Sequence, residues 1–142
     1  MNAREDLNAE QWSEVVRWLD TADEDLHVVE LIIRGPSPLL RPAALHCQQA
    51  VEKIAKAALV AFSIRPPKTH DVGTPGKLAT SQHAEIGNHI QGLAALTAWY
   101  ISARYPDSEL ELTPSSEEIL EAFESLRALR AKVQALAPSD RV

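Results

Sequence analysis

The sequence predicts an all-α protein: an up-and-down bundle of four long helices, with a short extra helix allowed between the second and third. Apolar residues recur at three- and four-residue steps over four long stretches, whereas the alternation typical of β-strands is absent. The prolines and three of the five glycines fall between these stretches or at their ends, where they would separate one helix from the next. The short or irregular connections favour consecutive helices that pack as antiparallel neighbours.

The first helix is predicted from about Glu10 to Ile33 and ends before the turn at residues 35–38. Its apolar residues form one stripe at helical spacing: Trp12, Val15, Leu19, Ala22, Leu26, Val29 and Ile33. It also carries an acidic run: Asp20, Asp23, Glu24 and Asp25. Because these carboxylates fall mostly on the other face, we expect them to be solvated.

Residues 43–62 are predicted to form the central, buried helix, which ends near Ser63 ahead of two prolines. A second, polar stripe follows this helix: His46, Gln49, Lys53 and Lys56. Long polar side chains must reach solvent or meet a partner surface. Two interpretations stay open. The stripe is either a solvated face with Gln49–Lys53 and Glu52–Lys56 pairs, or a face that binds a partner or a second copy.

An irregular loop is predicted over residues 64–81, with at most a short helical piece near Lys77. A third helix is predicted from about Ala84 to Ala103, where the apolar residues again share one face. Gly87 and Gly92 weaken this helix, and Gly92 is expected to permit a close contact with another helix.

The last helix has two alternative start signals. Thr113 can cap a helix whose first turn contains Pro114, or Ser115 and Glu118 can form a capping box. Pro138 ends the helix. Its inner face is predicted to carry Ile119, Ala122, Phe123, Leu126, Leu129, Val133 and Leu136.

Length, charge and cysteine content limit the classes of protein. The 142 residues suffice for one domain, residues 1–142, with an ordered core at about 10–137. A net charge of −6 gives no broad basic field, so nucleic-acid binding would have to be local. No leader or membrane-spanning run is evident, and Cys47 is the single cysteine, so we expect a cytoplasmic protein without a membrane segment. Cys47 itself is expected to be buried and inert.

Candidate chemistry is confined to two clusters. The sequence lacks HExxH, a cysteine pair, a Walker loop and GxGxxG, so neither a metal nor a cofactor is expected. The two clusters each combine cationic, hydroxyl and acidic groups: Lys68-Thr69-His70-Asp71 and Arg104-Tyr105-Pro106-Asp107. Such residues bind anionic ligands, and they also close turns through local hydrogen bonds. Both roles remain open for each cluster.

The order of the motifs resembles that of the prokaryotic HEPN domain. The resemblance covers about Trp18 to Leu136 and depends on HCQQAVEKIAKAAL after WLDTADEDL, then PPKTHD, then a helix that ends in YISARYPD. It implies a cytosolic helical bundle that forms a homodimer. It also implies a partner, since relatives often act with a small nucleotidyltransferase as a two-component system, frequently toxin and antitoxin.

Many HEPN domains are metal-independent ribonucleases, in which an Arg and a His separated by four to six intervening residues form a composite site across the dimer. In this sequence Arg104 lacks such a His, because Glu109, Leu110 and Glu111 occupy those positions. The group that would transfer a proton during cleavage is therefore missing from the matched place.

We therefore favour a non-catalytic module that binds a nucleotide or a partner nucleotidyltransferase. The residues expected to bind the ligand come from both clusters: Lys68, Thr69, His70, Asp71, Arg104, Tyr105 and Asp107. One alternative is a ribonuclease with Arg104 at the phosphate and His70 or His46 as the proton-transfer group. Another is a dimerising scaffold without a ligand. RNA remains a candidate ligand under the first alternative.

Overall fold

The computed structural model describes residues 7–36, 39–99 and 113–138, and no strand occurs among them. Five helices have both ends within this part of the chain: α1 (Ala9–Arg34), α2 (Leu40–Ala61), α3 (Gly73–Thr80), α4 (Ala84–Gly92) and α5 (Ser116–Gln134). The predicted all-α bundle is confirmed, and α3 is the short extra helix between the second and third long ones. None of these helices is both long and apolar enough to cross a bilayer.

The core is built around α2, which lies against α1 in the antiparallel sense. Gln11 near the start of α1 donates to the carbonyl of Val60 near the end of α2, with 2.7 Å between Nε2 and O. Leu19, Ile54 and Leu59 are fully buried between the helices. Since burial of one such side chain contributes about 1.5–3 kcal/mol, this apolar interface dominates the stability of the bundle.

The helices α3 and α4 pack closely because glycines lie at their contact. A Cβ at Gly87 would overlap the backbone of Thr80, and one at Gly76 would overlap Gln91. Gln91 in turn donates to the hydroxyl of Thr80 at 2.8 Å. The expectation for Gly92 is wrong, since a Cβ there would meet nothing within 4 Å. The close helix contact is made at Gly87 instead.

The predicted third helix is interrupted. After α4 ends at Gly92, residues 93–95 form turns, and helix resumes at 96–99. Between these helical stretches, backbone hydrogen bonds join residues that are three apart, as in a 3₁₀-helix, instead of four apart. For example, the N–H of Leu96 donates to the carbonyl of Leu93, and the N–H of Thr97 donates to the carbonyl of Ala94. The cause is local: Gly92 is a poor helix former, so the tighter turn is tolerated there. The remainder of the predicted helix lies outside the described residues.

The start of α5 follows the second of its two predicted signals. Ser115 is the N-cap and accepts from the backbone of Glu118, while the Glu118 carboxylate accepts from the backbone of Ser115, both at 3.1 Å. This capping box satisfies two backbone donors at the helix start. The predicted inner face is buried. The guanidinium of Arg130 donates two hydrogen bonds to the carboxylate of Asp23, from Nη2 at 2.9 Å and from Nε at 3.1 Å, and these link α5 to α1.

Candidate functional site

A buried carboxylate on α1 organises the polar stripe of α2. Asp25 is only 6% exposed. It accepts from Nδ1 of His46 at 2.8 Å and from Nζ of Lys53 at 2.6 Å. The expectation that the acidic run is solvated is therefore wrong at Asp25. Its helical position lies beside Ala22 and Leu26, so it points into the α1–α2 interface, where the Lys53 ammonium and the N–H of His46 compensate its buried charge.

Within the described residues, three of the four side chains on the polar stripe have partners. His46 and Lys53 bind Asp25, and Lys56 lies 5.2 Å from the centre of the Trp18 ring. Lys56 also approaches Glu52 at 3.9 Å, as the solvated-face interpretation expects. Each of these three side chains is a quarter to a third exposed. A partner could therefore contact only their outer parts.

A second polar network fixes the loop that follows α2. Gln48 is fully buried and donates from Nε2 to Glu52 at 2.6 Å and to the carbonyl of His70 at 3.3 Å. The Nδ1–H of His70 donates to Glu52 at 3.0 Å. Burial makes these bonds costly to break, because a lost partner would leave a desolvated polar group. Two residues of α2 thus hold His70 in place, although its side chain is 60% exposed.

The neighbours of His70 in the Lys68–Asp71 cluster form a turn. The Asp71 carboxylate accepts from the hydroxyl of Thr74 at 2.7 Å and from the backbone of Gly73 at 2.9 Å. Both bonds lower the pKa of Asp71, and the bond from the Thr74 hydroxyl has the larger effect. Thr69 accepts from the backbone of Asp71 at 3.0 Å. These contacts close the turn into α3, while Lys68 is exposed. The second cluster, residues 104–107, lies outside the described residues.

A third polar cluster, which the sequence did not suggest, joins α4 to α5. His89 contacts the Ser125 hydroxyl at 2.9 Å through Nε2 and Lys132 at 3.1 Å through Nδ1, and Lys132 also pairs with Glu85 at 3.2 Å. Because an ammonium group only donates, Nδ1 of His89 must accept, and the ring proton lies on Nε2. His89 therefore donates to Ser125 and cannot take its proton, so the pair is not a nucleophile with its base.

The environment of His89 also changes its pKa. Burial and, after it, the charge of Lys132 lower the pKa of the imidazole. His89 lies in α4 and Lys132 in α5, so no spacing in the sequence brings them together. The neutral form of His89 is the one that fits this helix contact.

A groove of about 530 Å³ lies between α1 and α5. Leu26 and Phe123 contribute its apolar lining. Its rim carries acids from α1 and arginines from α5, paired as Asp23–Arg130 and as Glu30–Arg127 at 3.8 Å. The balanced rim charges give the groove no excess of either sign. It was not predicted, because its walls come from the two ends of the sequence.

Cys47 and the possible metal ligands offer no further reactive centre in the described part of the chain. Burial and the charge of Asp25 raise the pKa of the Cys47 thiol to about 12. The expectation of a buried, inert thiol agrees with this environment. The described residues contain no group of three or more His, Cys, Asp or Glu side chains that could hold a metal ion.

Comparison with known proteins identifies the family. The family model of the HEPN domain matches residues 15–136. No curated protein and no solved structure gives a significant match. The matched range extends from α1 to just beyond α5 and includes both polar networks of α2. This chain belongs to the HEPN domain family.

Proposed function

We propose that this HEPN domain is a binding module without catalytic activity of its own. It binds a nucleotide or a partner protein at the loop after α2, and the partner is a small nucleotidyltransferase in a toxin–antitoxin-like system of the cytoplasm. The protein acts as a homodimer. Membership of the family supports this proposal in general terms, and the geometry around His70 supports the location of the site.

The observation that carries the proposal is the fixed position of His70. Its imidazole is mostly exposed but bound to Glu52, which is nearly buried and bound in turn to Gln48. A surface side chain normally loses rotamer freedom when it binds a ligand. Here the network of α2 has already restricted it, so binding at His70 costs less entropy. Exposed Lys68, two residues earlier, adds a cation for a phosphate group.

The charges along α2 favour a small ligand or a protein over an RNA strand. Asp25 and Glu52 offset the charges of Lys53 and Lys56. Exposed cations then remain in the loop at Arg65 and Lys68. Two cations can bind one phosphate group, whereas an RNA backbone needs a longer series of such contacts for comparable affinity.

Nucleotide titration followed by thermal unfolding tests the proposal. A ligand at 100 times its Kd stabilises the native state by about 2.7 kcal/mol, so the melting temperature of the parent should rise. Lys68→Ala should weaken this effect, because it removes the loop cation. Arg34→Ala is the matched control, since it removes an exposed cation at the far end of α1.

The same titration is repeated with a nucleotidyltransferase as the ligand. The proposal is supported if either ligand raises the melting temperature, if Lys68→Ala reduces this rise, and if Arg34→Ala leaves it unchanged. If neither nucleotide nor nucleotidyltransferase shifts the melting temperature, the protein is a scaffold without a ligand and the proposal fails.

One observation favours ribonuclease activity as a second candidate. A histidine whose Nδ1–H is held by a carboxylate, as His70 is held by Glu52, has the arrangement of a general base with its orienting group. In this candidate function His70 transfers the proton and Arg104 stabilises the phosphate.

An RNA cleavage assay distinguishes the two functions. We expect no cleavage of single-stranded or structured RNA by the purified parent protein. If the parent cuts RNA and both His70→Ala and Arg104→Ala abolish the cut, the non-catalytic proposal is wrong and the ribonuclease takes its place.

A further inference from the structure

The hydrogen bond between His70 and Glu52 determines which ring nitrogen of His70 carries the proton. Nδ1 of His70 lies 3.0 Å from Oε1 of Glu52. An ionised carboxylate only accepts hydrogen bonds, so Nδ1 must donate. In the neutral ring the other nitrogen, Nε2, then carries a lone pair and accepts. Glu52 thus sets the character of both ring nitrogens.

Gln48 keeps Glu52 in this accepting role. Gln48 is fully buried, and its Nε2 donates to Oε2 of Glu52 at 2.6 Å and to the backbone carbonyl of His70 at 3.3 Å. Each oxygen of Glu52 therefore accepts from a donor, as an ionised carboxylate does. The Glu52 side chain is only 10% exposed, so these bonds lie in a region of low dielectric and are strong. The tautomer of His70 is consequently fixed from within α2.

This tautomer limits the chemistry that the surface of the loop can recognise. A group that binds Nε2 of neutral His70 must donate a hydrogen bond, as a hydroxyl or an amine does. An oxygen of a fully ionised phosphate only accepts, so it does not fit Nε2. Lys68, which is exposed in the same loop, is a donor for such an oxygen. The loop thus combines a cation for a phosphate group with an acceptor for a hydroxyl or an amine.

We infer that the His70 loop selects nucleotides by a hydrogen-bond donor, which is either a ribose hydroxyl or the exocyclic amine of the base. Lys68 contacts the phosphate, and Nε2 of His70 accepts from the hydroxyl or the amine. Glu52 and Gln48 are positioning residues, because they act through His70 and do not touch the ligand. The inference rests on the proposed ligand site at His70 and adds the ligand chemistry that the site distinguishes.

Nitrogen NMR of the isotope-labelled full chain tests the tautomer without any ligand. At about pH 8, where an ordinary imidazole is neutral, we expect the proton of His70 on Nδ1. Glu52→Gln should allow both tautomers, because an amide can donate as well as accept. Gln48→Met should shift the ring signals in the same direction, since Glu52 loses a donor. Glu30→Gln, the same change at an ion-paired glutamate of α1, should leave the His70 signals unchanged. A parent protein with the His70 proton on Nε2 overturns the inference.

Calorimetric titration with AMP and three analogues tests the selection. The analogues lack the ribose hydroxyls, the exocyclic amine, or both. The analogue without both donors should bind the parent about tenfold more weakly than AMP, as the loss of one hydrogen bond predicts. The weaker of the two single analogues identifies the donor.

The difference between AMP and the analogue without both donors should disappear in His70→Ala and shrink in Glu52→Gln. Circular dichroism of each variant establishes that the fold persists. If the parent binds AMP and this analogue equally, the inference is wrong and the ligand site stands. If AMP does not bind at all, the inference and nucleotide binding at this loop both fail.

Discussion

At the scale of single residues, buried carboxylates determine where a lysine and two histidines on and next to α2 lie. Asp25 fixes His46 and Lys53 across the α1–α2 interface, and Glu52 fixes His70 across the following loop. In each case the acid is nearly inaccessible while its partner keeps an exposed part. The exposed groups are therefore held in place from within the protein.

Replacement of Asp25 should test the first of these clusters. Asp25→Ala leaves Lys53 without a counter-charge in a mostly buried position, so we expect the free energy of unfolding to fall by about 2 kcal/mol. Urea denaturation measures this change. Asp20→Ala, on the exposed face of the same helix, is the control and should change it by less than about 0.5 kcal/mol. Equal effects of the two substitutions would refute a special role for Asp25.

His89 should make the stability depend on pH. The pKa of His89 is lower in the folded protein than its ordinary value of 6.5. At a pH between the folded-state pKa and 6.5, the unfolded chain therefore binds more protons than the folded protein does. The free energy of unfolding should therefore fall as the pH drops through 6.5, until His89 is protonated in the folded protein as well. Melting temperatures from pH 8 to 5 measure the slope.

A glutamine at position 89 removes this titration. His89→Gln should flatten the slope, because the amide neither charges nor repels Lys132. His27→Gln, the same substitution at an exposed site on α1, is the matched control. An unchanged slope in His89→Gln would show that other groups cause the pH dependence.

Single residues were predictable from the sequence where the local helix decides their environment. Cys47 lies on the apolar stripe of α2, and its burial follows from that position. Asp25 lies at the boundary between the apolar and the acidic face of α1, where helical spacing does not determine whether a side chain is exposed to solvent or buried in the interface. Contacts such as His89 with Lys132 join distant parts of the chain, so only the tertiary fold could reveal them.

At the scale of elements, the contact of α3 with α4 depends on missing side chains. The backbone of Thr80 lies where a Cβ of Gly87 would be, so the two helices could not approach as closely with any other residue. The contact is made at Thr80, the last residue of α3, and α3 follows the turn that begins with His70. The identity of one residue therefore affects the placement of two elements.

Two glycine substitutions in α4 should have opposite effects. Gly87→Ala forces the helices apart and should cost about 2 kcal/mol or more. Gly92→Ala meets no atom within 4 Å and should be neutral or stabilise the protein by up to about 1 kcal/mol, because alanine is the better helix former. Thermal and urea unfolding of the two variants provide the comparison. Similar losses in both would contradict the assigned contact.

Whole elements were predicted best where periodicity and end signals agreed. The antiparallel α1–α2 pair follows directly from the sequence, and the capping box of α5 is one of the two start signals that the sequence offered. The break after Gly92 did not, since the apolar spacing continues through residues 93–95 while the backbone changes to tighter turns. Periodicity reports which face is apolar and is insensitive to a local change in backbone hydrogen bonding.

At the scale of the whole molecule, α2 serves as the common support. Its apolar stripe forms the core, its polar stripe binds α1, and Gln48 and Glu52 hold the loop that begins the candidate site. Core and site thus share one rigid element, which favours a preorganised binding surface. The clusters at residues 68–71 and 104–107 came from the sequence, whereas the support of His70 from within α2 became visible only in the fold.

The most direct test of a binding site at the His70 loop is amide chemical-shift mapping during titration with nucleotides. We expect the perturbed signals to cluster at residues 64–72 and on the α2 residues that support them, with Lys68→Ala reducing the perturbation. Perturbations that cluster in the α1–α5 groove instead, or the absence of any perturbation with both nucleotides and a nucleotidyltransferase, would contradict the account.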